Sequence, residues 1–231
     1  MLRERPLVSV IIAVKNGARF LSEAIDSVFA QGYAPLELII VDGHSVDATA
    51  QIAQSYPAAC YLLQRTTGIA NAYNEGIAIA RGAYIAFLSH DDQWAAHKLH
   101  RQIDFMEAHQ QVQYTVTRGR FFLEPGCTYP DELPYKRVQG EPIFYTMEAL
   151  VARRLLFQTI GRFDPQLSTA EDVDWFARAN DLGIPKAIID EVLLDKRLHD
   201  QNLSVYAQEN GRNLLLALHR SIQRKQRGLT Q

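Results

Sequence analysis

The chain has 231 residues, 47% hydrophobic and 22% charged, with a formal net charge of −2. That composition suits a globular domain with its own core and excludes the basic field that would hold nucleic acid. The apolar runs at 7–14 and 77–88 are interrupted by Ser9 and by Arg81-Gly82, the N-terminus lacks an apolar leader, and the two cysteines, Cys60 and Cys127, make no disulfide framework or metal motif. The resulting expectation is a cytoplasmic protein, with association at the cytoplasmic face of a membrane left open.

Residues 8–14 are rich in β-branched side chains and apolar on both faces, as in a central parallel strand. Phe20, Leu21, Ala24, Ile25, Val28 and Phe29 then recur at helical spacing. A second strand at 36–41 runs into Asp42-Gly43. A short helix follows, with Ser45 as its expected N-cap, Asp47 in its first turn, and Ile52, Ala53 and Tyr56 inward. A strand at 58–63, a helix at 69–81 and a strand at 84–88 complete an alternating pattern. Such alternation predicts an α/β fold with a mostly parallel, Rossmann-like sheet, whose ligands bind at the carboxyl ends of the strands.

The second half is less regular. Helices are expected at 94–109, 146–157, 171–182 and 208–227, strands at 112–123 and 187–194, and a proline-bearing extended loop at 124–141. The last helix carries Leu214, Leu215, Leu218 and Ile222 on one stripe and a basic end, and is expected to pack on the core. Contact with a partner subunit or an anionic membrane is the alternative. No repeat or linker divides the chain, so 1–231 reads as one domain: 1–110, 111–204 and a terminal helix at 205–231.

Several acidic groups fall where this topology puts ligands. Asp42 follows the second strand. Asp91-Asp92 follow the strand at 84–88, and adjacent carboxylates there repel unless a cation is near. They read either as a divalent-metal site able to hold a diphosphate or as caps of the next helix. Glu171, Asp172 and Asp174 lie within one turn beside Trp175 and Phe176. They read as a helix N-terminus favoured by the macrodipole, or as a general base raised by an apolar wall. Lys196 and Arg197 read as phosphate-neutralising groups or as a solvated loop, and His199 as a surface residue or a ligand.

In order, these segments resemble a family 2 glycosyltransferase of the GT-A fold. The resemblance rests on residues 8–17, 37–47, 68–76, 82–92 with Trp94, 160–164 and 170–175. It implies that Ala13, Lys15 and Asn16 line a nucleotide pocket and that Asp42 bonds the base, most often uracil. Arg65, Gly68 and Asn71 would lie near the ribose and diphosphate, with His90 in the same donor site. Asp91, with Asp92 and His199, would hold Mn²⁺ or Mg²⁺, and Asp172 would be the catalytic base. The implied reaction is transfer of one sugar, from a UDP-sugar, to a hydroxyl of a glycan, lipid-linked or small-molecule acceptor with inversion, as in cell-surface polysaccharide synthesis. Departures are Ser89 in place of the family's first metal-motif acid, Lys15 in place of an aromatic residue, and no Gln-x-x-Arg-Trp sequence after Asp172. The last of these argues against processive synthesis.

Two rival functions share parts of this pattern. A non-catalytic nucleotide-sugar or glycan-binding relative accords with Ser89 but not with the presence of Asp91, Asp92 and Asp172. A nucleotidyltransferase calls for a Gly-rich basic loop after the first strand, where residues 14–19 hold one glycine. No G-x-G-x-x-G follows that strand, which excludes a dinucleotide-binding dehydrogenase. Oligomerisation with a second copy is open.

Overall fold

The structure is a computed structural model that describes residues 4–127, 140–167, 169–200, 202 and 207–228. One sheet of eight strands organises the chain, in the order β3-β2-β1-β4-β7-β6-β8-β5. β1 (Val8–Val14) is buried along its whole length. It pairs in parallel with β2 (Leu36–Asp42) and with β4 (Tyr84–Ser89), and β3 (Ala59–Leu63) adds to β2. A strand covered on both faces can be apolar at every position, which is why Val8–Val14 shows no alternation.

One core lies on each face of this sheet. Val10, Ile12, Leu38, Ile40, Ala86 and Leu88 point to α1 (Leu21–Phe29) and α4 (Lys98–Ala108). Ile11, Ile39, Ile85 and Phe87 point to α3 (Ile69–Ile79) and, farther along, to α5 (Leu156–Thr159) and α6 (Glu171–Asp181). The close approach of α3 requires Gly76, where a Cβ would sit 2.6 Å from Ile11 Cγ2.

The remaining strands are β5 (Gln93–Trp94), β6 (Tyr114–Leu123), β7 (Val151–Arg153) and β8 (Lys186–Leu198). β7 is antiparallel to both β4 and β6, β8 is parallel to β6, and β5 runs against β8. The mostly parallel α/β architecture of the GT-A fold is therefore present.

Several expected elements differ. Residues 146–157 are not a helix. They form a 3-10 turn (Met147–Ala149), strand β7 and the short α5. Leu150, Val151 and Ala152 are fully buried in the slot between β4 and β6, and that slot overrides their local propensity. The helix expected from Trp94 begins at Lys98, because Gln93 and Trp94 pair with β8. Ser45 does not cap α2 (Thr49–Gln54). Its N–H and hydroxyl both turn back to Asp42, and Asp47 accepts the Thr49 N–H instead. β8 extends four residues past the expected end at 194, which brings Lys196 and Arg197 into the sheet. Most of the expected loop at 124–141 lies outside the described residues.

The terminal helix, α7 (Ala207–Gly228), packs against α6. Its apolar stripe is not in the core: Leu214, Leu215, Leu218 and Ile222 face outward. The inward face carries Asn213, Ala217 and Ser221, all buried.

Candidate active site

The carboxyl ends of β1, β2 and β4 lie side by side, with Val14 in register with Asp42 and Ala13 with Ser89. Ala13 is buried there, while Lys15 is exposed. Asn16 takes a positive φ of 52° and is locked to the next loop. Its N–H donates to Ser45 Oγ (2.8 Å) and its Oδ1 accepts the Val46 N–H (2.9 Å). Asp42 is almost fully buried. Oδ1 accepts from the Ser45 hydroxyl (2.6 Å) and Oδ2 from the Tyr61 hydroxyl (2.8 Å). Both oxygens are thus oriented from inside the protein, and Oδ2, with the Tyr61 hydroxyl on it, has the capacity to accept a second hydrogen bond.

Gly68 precedes α3 with φ 105°, and its carbonyl is held by Gln64 Nε2 at 2.7 Å. Asn71 bonds the Thr67 carbonyl (2.8 Å), and the Arg65 N–H donates to Glu75, leaving the Arg65 guanidinium exposed. Arg65 and Gly68 therefore lie on the loop after β3, and Asn71 in the first turn of α3.

Asp91 and Asp92 diverge. Asp91 Oδ2 meets His199 Nε2 at 3.0 Å and accepts from Asn202 Nδ2 at 3.2 Å. Burial opposes its charge, but the His199 hydrogen bond and the His90 and Lys196 charges hold its carboxyl well below the usual carboxylate range. The His90 ring lies over the Gly17 backbone, so close that a Cβ on Gly17 would be 2.5 Å from it, and burial lowers its pKa.

Asp92 turns the other way. Its Oδ2 accepts from Lys196 Nζ at 2.7 Å and its Oδ1 from the Arg197 N–H at 2.9 Å. The resemblance sets Asp92 with Asp91 at a metal; here its oxygens bond to β8. Burial raises the Asp92 carboxyl, Lys196 pulls it back, and Asp91 and Glu148 add to the rise, which leaves it at about 7. Capping of the following helix by this pair is also absent, since α4 starts six residues on.

A carboxylate that the sequence did not single out completes the cluster. Glu148, on the 3-10 turn, accepts from the Ser89 hydroxyl (2.5 Å) and lies 3.7 Å from Lys196. Negative charge missing at position 89 is thus supplied from another element. Lys196 and the Ser89 hydroxyl hold Glu148 below the ordinary range in spite of its burial. Lys196 itself is held well above the ordinary lysine value by Asp92 and Glu148, against the desolvation that opposes it. Lys98, fully buried over the Trp94 ring (4.3 Å), is driven well below by desolvation. No sequence signal near Glu148 foretold this, because Lys196 and Ser89 are 48 and 59 residues away along the chain.

Asp172 sits in the first turn of α6, half-buried, with Oδ1 accepting the Val173 N–H (2.7 Å). Burial and the Glu148 charge push its carboxyl up to about 6. Glu171 rises to about 8 through burial and the neighbouring Asp172 charge. The cause is therefore burial and like charge. The aromatic pair expected to form a wall belongs to the core, with Trp175 stacked on Phe157 (5.2 Å) and Phe176 edge-on to it. Asp174 is a separate structural group, buried and bonded to Arg178 at 2.8 Å. The residue before the motif, Ala170, has φ 65°, a left-handed conformation costly for a side chain and found where surrounding structure enforces it.

Arg197 neither faces a phosphate nor solvates a loop. Its guanidinium lies between the rings of Phe20 (4.4 Å) and Phe122 (4.7 Å) and pairs with Glu23 and Glu124.

The family model for glycosyl transferase family 2 matches residues 9–163. The chain belongs to glycosyltransferase family 2. It is 35% identical over 209 residues to an uncharacterized glycosyltransferase of Rickettsia prowazekii, covering 84% of this chain and 64% of that protein. A putative teichuronic acid biosynthesis glycosyltransferase, TuaG of Bacillus subtilis, is 27% identical over 215 residues, covering 88% and 84%. Thus the chain spans just under two thirds of its Rickettsia relative. Among solved structures, S. aureus TarS 1-349 in complex with UDP-GlcNAc superposes with a TM-score of 0.71 at 19% identity, over 87% of this chain and 61% of that one. The mannosyltransferase PcManGT of Pyrobaculum calidifontis, in complex with GDP-Man and Mn²⁺, gives 0.74 at 19% identity, over 96% and 65%. At such identities the likeness establishes the shared fold.

Proposed function

We propose that this family 2 member transfers a single sugar from a UDP-sugar to an acceptor hydroxyl, with inversion at the anomeric carbon. The observation that carries the reading is one half-buried cation, Lys196, which pairs with Asp92 at 2.7 Å, lies 3.7 Å from Glu148, and acts through its charge both on the strongly acidic Asp91 and on the weakly acidic Asp172. The two carboxylates belong to one electrostatic site yet are tuned in opposite directions. Environments that push titratable groups apart in this way assign them different tasks.

Asp91 and His199 fit a divalent cation on the donor diphosphate. A hard carboxylate oxygen beside an imidazole nitrogen suits Mn²⁺, and Mg²⁺ also binds through one or two carboxylates plus substrate phosphates. Among the described residues no group of three or more His, Cys, Asp or Glu side chains gathers to hold a metal ion. Diphosphate and water would supply the remaining ligands. When bound, such an ion offsets the charge that accumulates on the departing diphosphate.

Asp172 is the general base. Its Oδ1 is held by the Val173 N–H, and Oδ2 takes the acceptor hydroxyl proton as that oxygen attacks. Ala13, Asn16 and the Arg65–Asn71 loop shape the nucleotide end. The complexes of TarS with UDP-GlcNAc and of the mannosyltransferase with GDP-Man and Mn²⁺ support a hexosyl or N-acetylhexosaminyl donor and a metal. TuaG's assignment to teichuronic acid biosynthesis supports a cell-surface polysaccharide setting.

Calorimetric titration of UDP tests the donor site. Binding is expected with Mn²⁺, and is expected to weaken at least tenfold on adding EDTA or in Asp91→Ala. Binding unchanged by both would remove the metal from the reading, and no UDP binding would remove the uridine donor. Asp172→Asn is then expected to keep UDP affinity while losing at least 100-fold in turnover.

A further inference from the structure

The terminal helix α7 has its amphipathic character inverted relative to an ordinary surface helix. Its polar side faces the protein. Asn213 Nδ2 donates to Thr169 Oγ1 (2.9 Å), Ser221 Oγ to Asp181 (2.9 Å) and Arg224 Nε to Asp181 Oδ2 (2.9 Å). Arg220 pairs with Asp164 and reaches Gln166 Oε1 at 2.8 Å. Its apolar side faces outward, with Leu214 43%, Leu215 69%, Leu218 58% and Ile222 46% exposed. A lone exposed leucine needs no explanation, but four on one helical stripe, behind a face anchored by ion pairs, mark a surface that something covers.

We propose that this face of α7 lies on an anionic phospholipid surface. The stripe runs from 214 to 222, about 12 Å of helix at 1.5 Å per residue, on a helix packed against α6. Residues 211–226 contain four cations (Arg212, Arg220, Arg224 and Lys225) and no Asp or Glu. Two of these, Arg220 and Arg224, are bound inward to aspartates. Arg212 is exposed, as is Lys225, which also lies 3.5 Å from Asp181. An apolar stripe flanked by exposed cations is the pattern of a helix lying in the headgroup region.

Charge also argues against a second copy as the occupant. An antiparallel two-fold pairing centred on Leu218 sets Arg212 of each molecule opposite Arg224 and next to Lys225 of the other. A parallel pairing sets Lys225 against Lys225. Within 211–226 like charges face each other in both arrangements, and the one acidic residue of α7, Glu209, falls opposite a cation (Arg227) only at the ends of the antiparallel contact. A negatively charged surface meets the same cations without that conflict.

The test is co-sedimentation of the full chain with vesicles, comparing phosphatidylcholine alone with an equal mixture of phosphatidylcholine and phosphatidylglycerol. The wild type is expected to partition at least tenfold more strongly onto the mixed vesicles, and to lose most of that preference in 1 M NaCl. Leu215→Gln with Leu218→Gln is expected to reduce binding at least tenfold. Both positions are exposed, so the thermal midpoint and UDP titration of the variant should match the wild type and serve as its folding control. Absence of vesicle binding by the wild type overturns the proposal, as does undiminished binding by the folded double variant. Sedimentation velocity gives the rival: a dimer abolished by the same substitutions, with no vesicle binding, assigns the face to a second copy.

Discussion

Replacing Lys196 by Met isolates the electrostatics beneath the site. Lys196 pairs with Asp92 at 2.7 Å and lies 3.7 Å from Glu148, and the three side chains are 23%, 1% and 10% exposed. Methionine fills a similar volume but leaves two buried carboxylates without their cation. Removing one partner of a buried pair costs about 3–5 kcal/mol, because the remaining charge stays desolvated. The partial exposure of Lys196 puts the expectation near about 3 kcal/mol, a large fraction of a net stability of roughly 5–15 kcal/mol. For a domain of this size that lowers Tm by roughly 6–12 °C.

The loss has a pH signature. Asp92 is an acid whose folded pKa, about 7, is already raised above its unfolded value, so the fold favours its protonated form. Its negative charge, and with it the Lys196 attraction, is present above about pH 7 and disappears below. Lys196→Met raises this pKa further, so the deficit is larger at pH 8 than at pH 6. Adding Asp92→Asn removes the stranded charge, keeps an oxygen for the Arg197 N–H, and is expected to restore about half of the loss. Urea unfolding of the wild type, the two single variants and the double variant at both pH values measures this. A loss below about 1 kcal/mol at pH 8, or one equal at the two pH values, would refute the reasoning.

Two further outcomes are expected. With Asp172 at about 6 and required as carboxylate, kcat/KM should rise with pH through that region, and Lys196→Met should move this limb upward, since Lys196 lowers the Asp172 pKa. A pH-rate series on both proteins checks it, and an unmoved limb would detach Asp172 from the cluster. At an open helical position Gly→Ala stabilises by roughly 1 kcal/mol. Gly76→Ala should instead destabilise by about 1–2 kcal/mol, because the methyl meets Ile11 at 2.6 Å; a thermal midpoint at or above that of the wild type contradicts this packing.

The parallel half was legible because its information is local. Val8–Val14 and Tyr84–Ser89 are apolar at nearly every position, and only a strand covered on both faces tolerates that. Asp42 and Asp91 follow directly from such strands, so their edge placement could be read without coordinates. The role of Asp172 rests on the family resemblance, and its aromatic neighbours belong to the core.

What only tertiary structure decided lies where the partner is distant in sequence. Residues 150–152 have helix-compatible neighbours, and become a strand because a slot between β4 and β6 must be filled. Asp91 and Asp92 are adjacent and chemically identical, yet one meets His199 and the other Lys196, because the chain turns between β4 and β5, with the Asp92 N–H bonded back to the Ser89 carbonyl at 3.3 Å. Glu148 joins Ser89 across 59 residues, a contact that neither local pattern announces. The α7 periodicity was equally plain in the sequence, but periodicity gives the stripe and not its direction. The aspartates at 164, 174 and 181 turned the basic face inward and left the leucines outside.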